Sequence, residues 1–242
     1  MGTDREGREA AKRVAARAAV AYVESGRVVG VGTGSTVAHF IDALADGEAR
    51  PSAAVATSRD TASRLTRAGI PVVELEEIRE PLYLYVDGAD EVDAAGRAIK
   101  GGGGAHVREK TVARASERWV CIVDEGKVVE RLGKAAPVPV EVLADQADRV
   151  RHVLRAVGAD PRLREGTADS GNPLVDVFDL DLDDVEAAED MLEAIPGVLG
   201  CGIFAHRSAD IVVVGHHDGH VDIITPESAA EIGPHESLKG RP

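Results

Sequence analysis

A chain of 242 residues, 44% of them apolar, is long enough for one globular domain or for a main domain carrying a smaller one. Only 3% of the residues are aromatic, so the core is built largely from Ala, Val, Leu and Ile. Acids outnumber bases 42 to 28, a net charge of −14 that argues against a nucleic-acid partner.

No apolar run approaches bilayer length, and the N-terminus is charged where a secretory core would lie, which points to a cytoplasmic protein without membrane contact. Cys121 and Cys201 stand far apart, which gives neither a disulfide framework nor a thiolate zinc site and suits two buried small side chains. Lysine is scarce, at 12, 100, 110, 127, 134 and 239, and arginine supplies the other 22 bases. Scarce Lys with abundant Asp and Ala suggests a halophilic-type acidic protein, whose folding and activity improve in molar salt. The stretch from Val177 to His206 carries eight acids and no Lys or Arg, and reads as a solvated acidic face.

Small and apolar residues recur at helical spacing from Arg8 to Tyr22, and Gly26 closes that helix. Val28 to Val31 reads as a buried strand, Gly32 to Thr36 as a turn, and Val37 to Ala45 as a helix ended by Gly47. A strand at Ala53 to Thr57, an N-cap at Ser58, a helix from Thr61 to Ala68 and a strand at Val72 to Leu75 repeat the unit. Leu82 to Val86 is a strand leading into the acidic turn 87–93. Four glycines, 101–104, precede a helix from Ala105 to Ala115, and Trp119 to Val123 is another buried strand. This alternation implies a Rossmann-like parallel sheet covered by helices on both faces.

Pro137 and Pro139 mark a boundary. Beyond it come a strand at Val138 to Leu143, a helix at Gln146 to Val157, and strands near Arg162 to Glu165 and at Leu174 to Phe178. A helix at Val185 to Ile195 and a strand at Gly202 to Ala205 complete a β-α-β-β-α-β order, that of a smaller ferredoxin-like α+β domain. Residues 1–135 and 209–229 thus form the main α/β domain and 136–208 the small one. The polar tail 230–242 is expected to be disordered. Ile211 to Val214 and Val221 to Ile224 flank His216-His217-Asp218-Gly219-His220, which reads as a hairpin turn rather than a metal site.

In open α/β sheets, ligands bind beyond the carboxyl ends of the strands, and four polar or glycine-rich blocks fall there: Gly32 to Thr36, Asp87 to Asp93, Lys100 to Gly104 and Asp124 to Lys127. Gly32-Thr33-Gly34-Ser35-Thr36 offers free N–H groups at a helix start; it is either a phosphate loop or a tight turn capped by Ser or Thr. Ser35 stands where the dinucleotide fingerprint needs Gly, and no Walker motif occurs, so NAD and ATP lose their main support. Asp87 and Asp90 could grip or deprotonate sugar hydroxyls, or could only hydrogen-bond their own turn. Lys100 with four following glycines suggests close backbone approach to a ligand. Glu109, between Arg108 and Lys110, is a plausible general base or a simple complement to the helix dipole.

These residues carry a resemblance. Gly30-Val-Gly-Thr-Gly-Ser-Thr36, Tyr85-Val-Asp-Gly-Ala-Asp-Glu-Val-Asp93, Ile99-Lys-Gly-Gly-Gly-Gly-Ala105 with Arg108-Glu-Lys110, and Ile122-Val-Asp-Glu-Gly-Lys127 resemble, in order and spacing, type A ribose-5-phosphate isomerase. The likeness runs from about Glu9 to about Thr225 and includes Leu132-Gly-Lys134, Pro139-Val-Glu-Val142, Asp169-Ser-Gly-Asn172 and Ile195-Pro-Gly-Val198. His106, Val107 and Gly126 depart from the pattern.

The resemblance implies reversible isomerisation of D-ribose 5-phosphate and D-ribulose 5-phosphate in the pentose phosphate pathway, without metal or organic cofactor, by a homodimer or homotetramer. It makes Glu109 the base moving a proton between C2 and C1, and Asp87 a carboxylate of ring opening. Asp90 and Lys100 become contacts near the reacting carbons. Thr33, Gly34, Ser35 and Thr36, then Gly88 and Ala89, then Gly101, Gly102 and Gly103, with Lys127 and Lys12, become substrate-binding residues. Four of the six lysines lie in or beside these blocks, as compact cations for an anionic ligand. The alternatives are a non-catalytic sugar-phosphate sensor and a CoA transferase of the same architecture.

Overall fold

The computed structural model describes residues 2–226, so the tail expected from 230 and residues 227–229 lie outside the described residues. Helix α1 (Gly2–Ala19) buries Ala11, Ala15, Ala16 and Ala19, and is followed by β1 (Val28–Val31) and α2 (Ser35–Asp46). Then come β2 (Ala53–Ala56), α3 (Arg59–Arg67), β3 (Tyr85–Asp87), β4 (Glu91–Val92), β5 (Ala98–Ile99), α4 (His106–Arg114) and β6 (Trp119–Asp124). The second stretch holds β7 (Val138–Val142), α5 (Ala147–Ala156), β8 (Asp160–Thr167), β9 (Pro173–Phe178), α6 (Val185–Glu193) and β10 (Val198–Cys201). The chain returns through β11 (Ile203–Phe204), β12 (Ile211–Gly215) and β13 (Val221–Ile224).

The main sheet runs β2-β1-β3-β6-β12-β13, parallel throughout except for the antiparallel edge strand β13. Its strands are apolar on both faces because both are covered. In β6 every residue is buried: Val120 and Ile122 pack with α1 and α2, while Trp119, Cys121 and Val123 join Tyr85, Val112 and Phe204 on the other side. Alternation along one strand thus feeds two cores. Among the described residues, no helix is long and apolar enough to cross a membrane.

The second sheet has the order β10-β7-β9-β8 and is antiparallel throughout. With α5 and α6 it makes the β-α-β-β-α-β arrangement. Val138, Val140 and Val142 of β7 and Val175 and Val177 of β9 face Val150, Leu154, Val185 and Leu192. The period of two therefore turns Glu141 and Asp176 to the opposite face.

Two expected strands differ. Val72 makes one bridge to Ala54, after which Glu74 caps a 3₁₀ turn, Leu75–Glu77, through reciprocal bonds with Glu77, and the chain leaves the sheet edge. The last strand of the small sheet is Val198–Cys201, not Gly202 to Ala205. Gly202 accepts from Lys100 N–H and donates to Pro139 O, and its Cβ would overlap the Lys100 carbonyl. It carries the chain into a third sheet, β11-β5-β4. The His216 to His220 segment is the turn of the β12–β13 hairpin, closed by His216 N–H to His220 O; His216 and His217 bind Glu125, and His220 binds Asp222.

Candidate active site

Strand order reverses at β1, whose neighbours are β2 and β3, so the loops after β1 and β3 diverge and leave a crevice. A cavity of about 190 Å³ opens there. Lys12, Thr33, Gly34, Ser35, Thr36, Gly88, Ala89, Asp90, Lys100, Gly101, Gly102, Gly103, Glu109 and Lys127 all line it. Of the residues expected from sequence, Asp87 alone is not on its wall, lying fully buried beneath Lys100. A larger hollow of about 540 Å³, between α3 and the Asp169–Ser170 turn, is lined by none of them.

Gly34 sits at φ +126 immediately before α2, a backbone state that a side chain would strain. No side chain caps this helix, so its first amides remain available to an anion. Thr33 is turned instead to Asp87, through its N–H at 3.0 Å, and to Thr57, hydroxyl to hydroxyl at 2.8 Å. Lys12 reaches the rim from α1 while paired with Glu9 at 2.7 Å. The Lys12 and His39 bonds hold the Glu9 carboxyl down at about 2.

Four donors converge on Asp87: Thr33 N–H, Gly88 N–H at 2.7 Å, the Tyr85 hydroxyl and the Lys100 ammonium at 2.7 Å. A Cβ at Gly32 would overlap the Asp87 carboxyl, so glycine is required there. Lys100 is 2% exposed and also donates to Gly88 O at 2.5 Å. Burial opposes its charge, but Asp87 and Glu109 outweigh burial and hold the ammonium above its ordinary value.

Glu109 enters from the first turn of α4 and is 4% exposed. Its Oε2 lies 3.2 Å from Lys100 Nζ, yet it forms no hydrogen bond. Burial first, and then the Asp87 charge, raise this carboxyl far above the usual glutamate range, with Lys100 pulling the other way. A carboxylate of raised basicity beside a fixed ammonium can accept a carbon-bound proton and meet the oxyanion that results.

The glycine loop runs between these groups. Gly102 N–H donates to Asp90 Oδ2 at 2.7 Å, and a Cβ on Gly102 would lie 2.8 Å from Asp90 Oδ1. Gly101 has φ +108 and is packed on the His106 ring. That imidazole is buried with Nδ1 unpartnered, and burial lowers it to about 4. Lys110 points away from the cavity, to Glu189 at 2.7 Å and Glu193 at 2.6 Å on α6, so part of the acidic stretch is a buried docking face rather than a solvated one.

Two residues outside the expected set also reach the site: Asp124, which lines the cavity and accepts from Gly126 N–H, and Arg164, whose guanidinium bonds Gly101 O and Gly102 O from β8. No local motif marks that arginine.

The family model described as Ribose 5-phosphate isomerase A (phosphoriboisomerase A) matches residues 53–219. A ribose-5-phosphate isomerase A of Stenotrophomonas maltophilia (strain R551-3) is 50% identical over 207 residues, covering 85% of this chain and 95% of the relative. The crystal structure of ribose 5-phosphate isomerase A from Neisseria gonorrhoeae superimposes with a TM-score of 0.86 at 46% identity, over 89% of this chain and 96% of that one. A D-ribose-5-phosphate isomerase in complex with phospho-erythronic acid is similar with a TM-score of 0.84 at 35% identity, over 88% of this chain and 97% of that one.

Proposed function

The chain belongs to the ribose 5-phosphate isomerase A family, and on that premise we propose that Glu109 is the base of its proton transfer, with Lys100 and the glycine loop meeting the developing charge. The protein is an isomerase that interconverts D-ribose 5-phosphate and D-ribulose 5-phosphate. One observation carries the assignment of roles. The buried Glu109 carboxylate lines one cavity together with Lys100, the glycine loop and the uncapped start of α2.

The phosphoryl group sits on the α2 amides, with Lys12 and Lys127 as its cations. Opening the furanose needs a carboxylate at a ring hydroxyl. Asp90 lines the cavity, whereas Asp87 lies behind its wall, bonded to Lys100 and to the Thr33 and Gly88 N–H groups, so Asp90 takes that contact and Asp87 holds the ammonium. Glu109 then removes the C2 proton of the open aldose, and the electron pair moves through C1 to O1. Lys100 and glycine-loop N–H groups stabilise the cis-enediolate, each donor contributing about 2.7–4 kcal/mol. The protonated Glu109 returns its proton to C1 while the hydroxyl proton passes from O2 to O1, which leaves the ketose.

No step calls for a metal or an organic cofactor. Residues 1–135 with 209–229 and residues 136–208 act as two domains, and a cytoplasmic homodimer or homotetramer is the working form. Purified protein incubated with ribose 5-phosphate is expected to form ketose at the same rate with and without EDTA. Binding without ketose formation would favour a sensor instead, and loss of turnover in EDTA would overturn the metal-free reading.

A further inference from the structure

A loop of four glycines has no side chains to fix it; it closes one turn bond of its own, Gly104 N–H to Gly101 O at 3.0 Å, and its other contacts come from outside. Arg164 of β8 and Asp176 of β9 lie on the sheet face opposite α5 and α6, the face turned toward that loop. The guanidinium is gripped on one edge by Asp176, with Nε 2.9 Å from Oδ2 and Nη2 on Oδ1. Its remaining nitrogen, Nη1, donates to Gly101 O at 2.9 Å and Gly102 O at 3.2 Å.

The peptides of this loop are trans, and in a planar trans peptide the carbonyl and the following N–H point in opposite directions. Holding Gly101 O at Arg164 therefore directs Gly102 N–H away from it, onto Asp90. Holding Gly102 O directs Gly103 N–H the same way. Among the described residues that N–H has no partner, and Gly103 lines the cavity.

We infer that Arg164, braced by Asp176, is a positioning residue of the isomerase: it grips the glycine loop by its carbonyl side and so aims the Gly103 N–H at the reacting end of the sugar. This rests on the roles given above to Glu109 and the glycine loop, and deepens them. It also gives the small domain a part in the chemistry, because both residues of the brace belong to its sheet. Lysine cannot replace the arginine, since a single ammonium cannot span two carbonyls and a carboxylate in the plane of a fork.

The test uses Arg164→Lys and Asp176→Asn in the full chain, with Glu109→Gln beside them. Both brace variants are expected to lose about 10²-fold in kcat with KM changed less than about 3-fold, as for an interaction made mainly in the transition state. Phospho-erythronic acid, whose carboxylate places negative charge where the enediolate carries it, is expected to bind about 10²-fold more weakly, and a pentitol 5-phosphate lacking that charge about as well as before. Parent-like kcat in a folded variant, or equal weakening of the two ligands, would overturn the inference. So would failure of both variants to fold, which would make the pair a structural brace. Full activity in Glu109→Gln would instead overturn the site reading beneath it. An inactive Glu109→Gln beside a fully active Arg164→Lys would overturn this inference alone.

Discussion

The carboxyl of Glu109 illustrates how a single position acquires reactivity from its surroundings. In water it would be a weak base, but burial and the neighbouring Asp87 raise its proton affinity, and Lys100 keeps its charged form accessible. Glu109→Gln is expected to lower kcat about 10²–10⁴-fold with a modest change in KM. The acid limb of kcat/KM should lie above the ordinary glutamate value of 4.5, with activity rising as the pH rises through it, because only the deprotonated base accepts the C2 proton. An acid limb at or below 4.5 would remove Glu109 from that role.

His106, one turn earlier, carries a different consequence. Its ring titrates at 6.5 when unfolded and at about 4 in the buried site, so the unfolded chain binds more protons between those values. Stability is therefore complete above 6.5 and is lost as the pH falls through about 4, by up to about 3 kcal/mol. His106→Leu, which also deletes the unpartnered Nδ1, should flatten the dependence of Tm on pH over this interval. Parallel melting curves for parent and variant would contradict it.

At the level of elements, the site is made by strand ends and helix starts that glycine allows to come close. The turn after β1 brings Gly32 against Asp87 at the end of β3, with no room for a methyl group. Gly32→Ala must push Asp87 off Lys100, and a misplacement of about 1 Å costs about 10²-fold in rate. Steady-state kinetics on the folded variant would show a fall in kcat of that order, and unchanged kinetics would mean that the Asp87–Lys100 contact is dispensable. The turn, the following helix and the Gly47 stop were all readable locally, since turn chemistry and helical periodicity depend on neighbours in sequence. Val72 to Leu75 keeps only one bridge of its expected strand because the capped 3₁₀ turn at Glu74 competes with a short apolar run.

Across the whole molecule, α4 and α6 are joined by charge as well as by packing. Lys110 follows Glu109 on α4 but faces the other way, into Glu189 and Glu193 of α6. Glu189 is 1% exposed and also accepts from Ala205 and His206 N–H. Lys110→Met would leave that buried carboxylate only the longer, 3.6 Å contact with half-exposed Arg114, and is expected to cost about 3 kcal/mol in denaturant unfolding. A loss below about 1 kcal/mol would show the pair to be no stronger than a surface ion pair.

Composition and apolar periodicity were enough to determine a layered α/β chain, because those signals are local, whereas the groups around its cavity, Lys12 and Lys127 among them, were named through the family resemblance of the glycine-rich and acidic blocks. Three matters were decided only by the tertiary structure: that Asp87 lies beneath the cavity wall, that Lys110 ties α4 to α6, and that Arg164 grips the glycine loop from β8. Each depends on which way a side chain points once distant strands have met. Sequence distance hides such contacts, since Arg164 and Gly101 become neighbours only when the loop after β5 meets β8.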